Sequence, residues 1–505
     1  MRPRLKLITL PWELEVPTLG LASLAAVTPP QFDIALVDVL RERLVLDEPT
    51  DLVGISASTP TIKAAYALAD LYRARGATVV LGGHHVTAMP DEALLHADAV
   101  VCGEGETAWQ RICDDFLTRR TRVHGIYREP APDLATLPLP RVDLMKPERY
   151  GAFYYPVIAS RGCPEACTFC FAKRMTLGYR SYPIAHVVAQ VRARPRWVRA
   201  LYFVDDNLPA DPDYTKELFA ALKREGVPFG MQARVEFSQD PAGPVAAREA
   251  GCALISSGYE SVNQDSLDSN AKRAAAAEYR RVISNIFEAG IIPSGNWMFG
   301  FDDDRPDVFR RTLDFLDTTD LLHSSFTTEI PFPGTAIWRR YRDEGRLLTE
   351  DYDEYVGKDH VVVRPRHMTP AQLQQGIRWL ARRYYSPARA ARRALRAMSN
   401  EKLAGVGPKM LRAPALLALN AFQVWQWHYR MVPALQAVYQ RLLQVYRYRY
   451  LGDLWRGTNF VESTPPPRWE DTEVDGVFAR TAAFKPSRVK RLQPHAGPAP
   501  HPPRP

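Results

Sequence analysis

Short, continuous apolar runs, each followed by a helical pattern, recur along most of this 505-residue chain. The chain runs from Arg4-Leu5 straight into a strand-like segment. Ile34–Asp38, Asp51–Ser56, Thr78–Gly83 and Ala99–Gly103 repeat the theme, with a helix predicted over Ile62–Arg75. A strand that is apolar along its whole length must be covered on both faces. A parallel sheet with crossover helices does this, so the pattern predicts an α/β, doubly wound (Rossmann-like) domain over residues 1–128. Ligands of such sheets lie beyond the carboxyl ends of the strands. Those ends carry Ser56, Ser58 and Thr59, then Gly82, Gly83, His84 and His85, then Gly103, Glu104, Gly105 and Glu106. Small residues there let a large flat ligand approach the backbone.

Residues 129–142 are proline-rich and are expected to be a linker. A second alternation fills residues 143–345. Its strands are predicted at Tyr155–Ser160, Ala200–Asn207, Gly230–Val235, Ala253–Ser261, Ile292–Gly300 and Ser324–Ile330, with helices at Ala274–Ala289 and Pro306–Leu316. Six such units suggest a partial (β/α)6 barrel with its active site at the C-terminal mouth. A C-terminal helical region is expected over 346–464, with one helical segment at 370–398 and one or two more at 412–450. The Pro- and Arg-rich residues 465–505 are expected to be disordered. No internal repeat of 20–50 residues is visible.

The first barrel strand delivers Arg161-Gly162-Cys163-Pro164-Glu165-Ala166-Cys167-Thr168-Phe169-Cys170. Its C-x3-C-x2-C spacing places three thiolates on one short loop. They can hold three irons of a cubane [4Fe–4S] cluster and leave the fourth iron open to a small molecule. A zinc knot or a ferredoxin-type cluster would need a fourth ligand nearby, yet the next His is His186 and the next Cys is Cys252. Six cysteines in so long a chain, with no secretory signal, argue against a disulfide framework and for a reducing, cytoplasmic setting. No apolar run reaches the ~18–20 residues of a membrane span. The net charge of +8 owes much to Arg378, Arg382, Arg383, Arg389, Arg392, Arg393 and Arg396. A solvated helix face accounts for such a run, and no nucleic-acid partner is expected.

The cysteine loop resembles that of radical S-adenosylmethionine (SAM) enzymes, including the aromatic Phe169 before the last cysteine. The first domain looks like the cobalamin-binding domain that precedes the cluster domain in one large clade, which includes class B radical SAM methyltransferases. Gly82-Gly83-His84, Pro90–Ala93 and Asp98–Glu106 carry that likeness. The D-x-H-x-x-G motif, whose His ligates cobalt in mutases, reads Asp38-Val39-Leu40-Arg41-Glu42-Arg43 here. No His ligand from this motif is therefore implied. The resemblance implies a [4Fe–4S] cluster on Cys163, Cys167 and Cys170, and SAM contacts from Phe169, Asp205, Arg234 and Glu260. It implies cobalamin contacts from Ser56, Ser58, Thr59, Gly82, Gly83, His84, Gly103, Glu104 and Gly105. It assigns no further catalytic residue. Helix capping by Asp206 or Asn207 is a structural alternative for the Asp205–Asn207 stretch. Ion pairing with Glu236 or Glu260 is one for Arg234. Pro331-Phe332-Pro333-Gly334-Thr335 resembles the turn that closes the clade's barrel.

In such enzymes the open iron chelates SAM, one electron cleaves it, and the resulting 5′-deoxyadenosyl radical takes hydrogen from carbon. The leading expectation is cobalamin-dependent methyl transfer to an unactivated carbon of a small-molecule or lipid-like substrate. A flavodoxin or ferredoxin would supply electrons. Cyclisation or carbon-skeleton rearrangement without methyl transfer is the alternative, and a cofactor-binding sensor without catalysis ranks last. Phe422, Trp425, Trp427, Tyr429, Tyr439, Tyr446, Tyr448, Tyr450 and Trp455, mixed with arginines, suit a helical cap over the barrel mouth. A peripheral contact with the inner face of a membrane is the second reading.

Overall fold

Apolar runs of both alternations become strands in a computed structural model, which describes residues 2–10, 19–39, 42, 44–118, 123–146, 155–176, 178–358 and 360–406. The helices expected at 412–450, their aromatic residues and the tail at 465–505 lie outside the described residues.

The N-terminal sheet has six strands: β1 Arg4–Leu10, β2 Asp33–Asp38, β3 Leu52–Ala57, β4 Thr78–Gly82, β5 Ala99–Val101 and β6 Gly125–Tyr127. Their order is β2-β1-β3-β4-β5-β6 and every pair is parallel. The order reverses between β1 and β3, where a doubly wound sheet opens its ligand crevice. Both central strands are buried almost throughout, as continuous apolar runs require. Gly54 shows how tightly the helix layer sits. A Cβ at Gly54 would lie 2.9 Å from Leu7 Cδ2 and 3.0 Å from the Trp109 ring. Glycine in mid-strand therefore lets the buried indole lie flat on the sheet, where its Nε1 donates to Thr28 Oγ1 at 2.9 Å.

The second sheet contains β7 Tyr155–Val157, β10 Leu201–Phe203, β11 Phe229–Gln232, β12 Cys252–Glu260, β13 Ile292–Phe299 and β14 His323–Thr328. They pair in parallel in chain order, from β7 at one edge to β14 at the other, giving an unclosed six-stranded barrel. A separate antiparallel hairpin, β8 Ser160–Arg161 with β9 Arg180–Ser181, forms the stem of the cysteine loop.

Several predicted elements are corrected. The strand expected at 155–160 ends at Val157, because Ser160 pairs with Ser181 instead. The strands expected at 200–207 and 230–235 are three and four residues long. The linker at 129–142 packs on the first domain: Leu134 and Val142 are buried, and Arg141 N donates to Ala22 O at 3.0 Å. The single helix expected at 370–398 is two, Pro370–Tyr384 and Pro387–Ser399. Pro387 has no N–H to continue the first helix and holds Ser386 extended, so it starts the second helix at its first position.

The helix Pro370–Tyr384 buries Leu373, Ile377 and Leu380 beside the outer edge of β14. There the Tyr385 hydroxyl accepts from Ser324 N at 3.2 Å and donates to Ser324 O. Further along the strand Thr328 N donates to Lys358 O at 2.9 Å. Among the described residues no helix is long and apolar enough to cross a membrane.

Candidate active site

The β8–β9 stem forces residues 162–179 into a closed loop. Gly162 opens it with φ +81°, and a Cβ there would run into Gly178 O and lie 2.5 Å from Thr176 Oγ1. The far side is pinned by Thr168, whose N donates to Asn270 O at 3.1 Å and whose hydroxyl donates to Asn270 Oδ1 at 2.7 Å. Ile337 N donates to Thr168 O at 3.2 Å. Phe169 packs on the cluster of Ile330, Ile337 and Tyr341 and lies 6.0 Å from Phe301.

Cys163, Cys167 and Cys170 share this loop, are at least partly accessible and form no disulfide. Desolvation raises the Cys163 thiol, while the Glu165 backbone N–H and the Arg234 guanidinium pull it back. Arg234 Nη1 donates to Cys167 Sγ at 3.8 Å. No three His, Cys, Asp or Glu side chains among the described residues are grouped to hold one metal ion. Three unbridged thiols on one loop, beside a cation, fit a cubane that spreads its thiolates over separate irons.

The two acidic residues after β10 differ. Asp205 is buried, and its carboxylate accepts from Ala159 N at 3.1 Å, from Ser160 Oγ at 2.6 Å and from Ser160 N. Desolvation still lifts it to about 7, against these hydrogen bonds. Asp205 thus anchors the backbone that leads into the cysteine loop. Asp206 is exposed, yet desolvation raises its pKa and its charge is felt at Cys163 and Cys170. Arg234 is held chiefly by Glu236 at 2.7 Å. Glu260 ends β12 with φ +63°, a strained backbone for a non-glycine residue. Its carboxylate lies over Gly258, where a Cβ would collide with it, and 3.5 Å from Lys272 Nζ.

Strand alternation adds residues that the sequence reading missed. Tyr259 stacks on Trp297 at 5.2 Å and meets Tyr279 of the helix Tyr279–Glu288 at 4.9 Å, all buried, so these side chains face the helix layer. The alternate positions Ser256, Asn296, Met298 and Ser325 then face the barrel interior. Asn296 Nδ2 donates to Ser256 Oγ at 3.2 Å, and Ser325 is exposed. Only the period-two offset from the buried aromatics could have identified them.

In the N-terminal domain the β3, β4 and β5 ends converge. Gly83 has φ +106°, and a Cβ there would strike Ala57 O, while one on Gly82 would meet nothing closer than 3.9 Å. The open face at Gly82 is a cradle suited to a flat ligand. Ser56 and Ser58 are partly accessible, and Ser58 N donates to Thr61 Oγ1 at 3.2 Å. Thr59 is buried, with its hydroxyl 3.2 Å from His85 Nδ1. His85 Nε2 lies 3.5 Å from Glu92. His84 is exposed, and desolvation lowers its pKa. Gly103 N donates to Thr87 Oγ1 at 3.0 Å. Gly105 packs under Leu24, 3.2 Å from where its Cβ would be. The Glu104 side chain is nearly inaccessible and paired with Arg161 at 2.8 Å and with Arg180, so its carboxylate is engaged by the cysteine-loop stem.

The two candidate sites adjoin. His84 stands edge-on to Phe171 at 5.4 Å, one residue past the last loop cysteine. A Cβ on Gly334, in the barrel-closing turn, would lie 3.0 Å from Ala88 Cβ. Lys63 pairs with Asp351 at 2.6 Å, and Tyr352 lies against His85 at 4.6 Å.

Family models match both regions: a B12 binding domain over residues 5–112 and the radical SAM superfamily over residues 157–316. The chain is 29% identical over 376 residues to a bacteriochlorophyllide d C-8(2)-methyltransferase of Chlorobaculum tepidum, covering 71% of this chain and 83% of that protein. It is 26% identical over 381 residues to an anaerobic magnesium-protoporphyrin IX monomethyl ester cyclase of Cereibacter sphaeroides, covering 68% and 61%. In fold it is similar to the cobalamin-dependent SAM radical enzyme OxsB with aqua-cobalamin and SAM bound. That match has a TM-score of 0.62 at 13% identity and covers 95% of this chain and 83% of that one.

Proposed function

We propose that this chain, which belongs to the radical SAM enzymes with a B12-binding domain, transfers a methyl group to an unactivated carbon of an apolar small molecule. The observation that carries the reading is the direct packing of the cobalamin cradle on the cysteine loop, through His84 and Phe171. Methyl transfer needs the methyl carrier and the radical source to share one substrate carbon, so adjoining sites favour it. Bound there, the cluster, SAM and cobalamin supply reductive SAM cleavage and a transferable methyl group.

The chain's own residues then hold, orient and exclude water. Cys163, Cys167 and Cys170 hold the cluster, with Arg234 moderating the negative charge at Cys167. Glu260, Asp206, Ser256 and Asn296 line the barrel mouth and interior, where the SAM ammonium and ribose would find acceptors. Phe169 supplies an apolar wall. Ser56, Ser58, Gly82, Gly83, His84, Gly103 and Gly105 form the cobalamin face. Thr59 and Glu104 support it from behind through His85 and the two arginines. Asp205 positions the loop rather than touching SAM. The methyltransferase relative acts on a tetrapyrrole, so a tetrapyrrole is the first substrate class to test.

The test is anaerobic turnover with SAM, cobalamin and reduced flavodoxin. Methyl transfer requires S-adenosylhomocysteine and 5′-deoxyadenosine in equal amounts, with one methyl added to the substrate. The cyclase relative favours a second reading, ring closure, which gives deoxyadenosine without S-adenosylhomocysteine. That product ratio would replace the first reading with the second.

A further inference from the structure

Four charged side chains meet between the two domains. Glu104 and Glu106 follow β5, while Arg161 and Arg180 pair across the β8–β9 stem. Arg161 Nη1 donates to Glu104 at 2.8 Å and to Glu106 at 3.1 Å, and its Nη2 donates to Glu106 at 2.6 Å. Arg180 pairs with Glu104 as well. Both glutamates are 5% exposed at the side chain and Arg161 is 11%. The cluster is electrically balanced, two of each sign, as burial demands. Each side of it is rigidly joined to one cofactor site. Arg161 directly precedes Gly162 and Cys163. Glu104 sits in the turn whose Gly103 N is bonded to Thr87, and the Thr87 hydroxyl donates to Gly83 O at 2.9 Å in the cradle.

We infer that these four residues are positioning residues that couple the two cofactor sites, so that the seated cluster and the bound cobalamin each raise the other's affinity. The inference rests on the functional reading above. Fixed bidentate geometry transmits a displacement that a solvated ion pair would absorb. Ordering the cysteine loop fixes Arg161 and Arg180, which fixes the turn at 103–106 and the cradle beside it. Coupling of this kind is reciprocal and commonly about 5- to 150-fold in affinity.

The test uses the full chain, freed of cofactors without oxygen and titrated with hydroxocobalamin by visible absorbance, before and after the cluster is rebuilt. The wild type should bind cobalamin about tenfold more tightly once the cluster is present. Glu106→Gln should bring the two affinities together while leaving the cluster-free value within about twofold, because the Glu106 carboxylate is bonded to Arg161 and is not one of the cradle residues. Arg180→Lys keeps the charge but cannot bond Glu104 and the Pro132 carbonyl together as the two Nη atoms of Arg180 do, and should show the same convergence if Glu106→Gln fails to fold. Equal wild-type affinities, or a variant that keeps the full ratio, would overturn the coupling alone. Absence of cobalamin binding in both forms would overturn the functional reading with it.

Discussion

Two glycines of the cysteine loop form a matched pair for measuring steric crowding. Gly162 and Gly178 both have left-handed backbones, at φ +81° and +89°. A Cβ on Gly178 would meet nothing within 4 Å, whereas one on Gly162 would collide with Gly178 O and Thr176 Oγ1. Gly178→Ala should therefore cost only the backbone term, about 1–2 kcal/mol. Gly162→Ala adds a close-packed clash against backbone, worth about 1–3 kcal/mol more, for a total of roughly 2–5 kcal/mol. The loop can reduce that cost only by moving Gly178 away, which opens the stem beside Cys163. Iron and sulfide per chain after anaerobic reconstitution, with thermal unfolding of the cluster-free protein, report both effects. Gly178→Ala should keep near wild-type iron, and Gly162→Ala should lose most of it and melt lower. Equal iron content and equal melting in the two variants would refute the steric argument.

Three further outcomes follow from particular side chains. Glu260→Gly relieves a left-handed non-glycine backbone but leaves the buried Lys272 without its carboxylate, so it should lower the melting temperature and weaken SAM binding at least tenfold by equilibrium dialysis; unchanged SAM affinity would remove Glu260 from the site. His323, hydrogen-bonded to Ser294 Oγ at 2.9 Å, is lowered to about 4 by desolvation and then by Arg393. Its folded pKa lies below the unfolded value, so its stabilisation is full above pH 6.5 and is lost as pH falls towards 4, by roughly 3 kcal/mol. Denaturant melts of His323→Gln should be flatter than wild type across that window, and parallel curves would refute the assignment. Tyr385→Phe leaves both backbone groups of Ser324 unpaired and should cost about 1–3 kcal/mol in the same melts; an unchanged midpoint would show that other groups satisfy them.

The central strands of the N-terminal sheet were legible because burial on two faces writes itself as uninterrupted apolar sequence, whereas the longer barrel strands alternate buried with polar, partly accessible positions. Their ends were less so. Ser160 belongs to a hairpin whose partner, Ser181, lies beyond the whole cysteine loop, a pairing that local pattern does not carry. The helix break at Ser386-Pro387 was present in the sequence as a proline, but the apolar periodicity on either side overrode it. The cysteine loop could be read directly, since its chemistry depends on spacing within ten residues. Asp205 and Asp206 could not be told apart, because adjacent residues on opposite sides of a strand end differ only in what the tertiary fold brings to them. Glu104 illustrates the same limit: its motif suggested a ligand contact, while its partners Arg161 and Arg180 come from another domain.

An unclosed barrel has a terminal strand whose outward amides and carbonyls are a template for a strand from another molecule. The Tyr385 hydroxyl occupies both backbone positions of Ser324, and the Lys358 carbonyl takes the amide of Thr328, four residues along. The helix that carries Tyr385 into place thus acts as a guard against self-assembly. A chain cut after residue 365 would keep all three loop cysteines and the Lys358 contact at Thr328, yet it would uncover both backbone groups of Ser324 and should associate through that part of the edge.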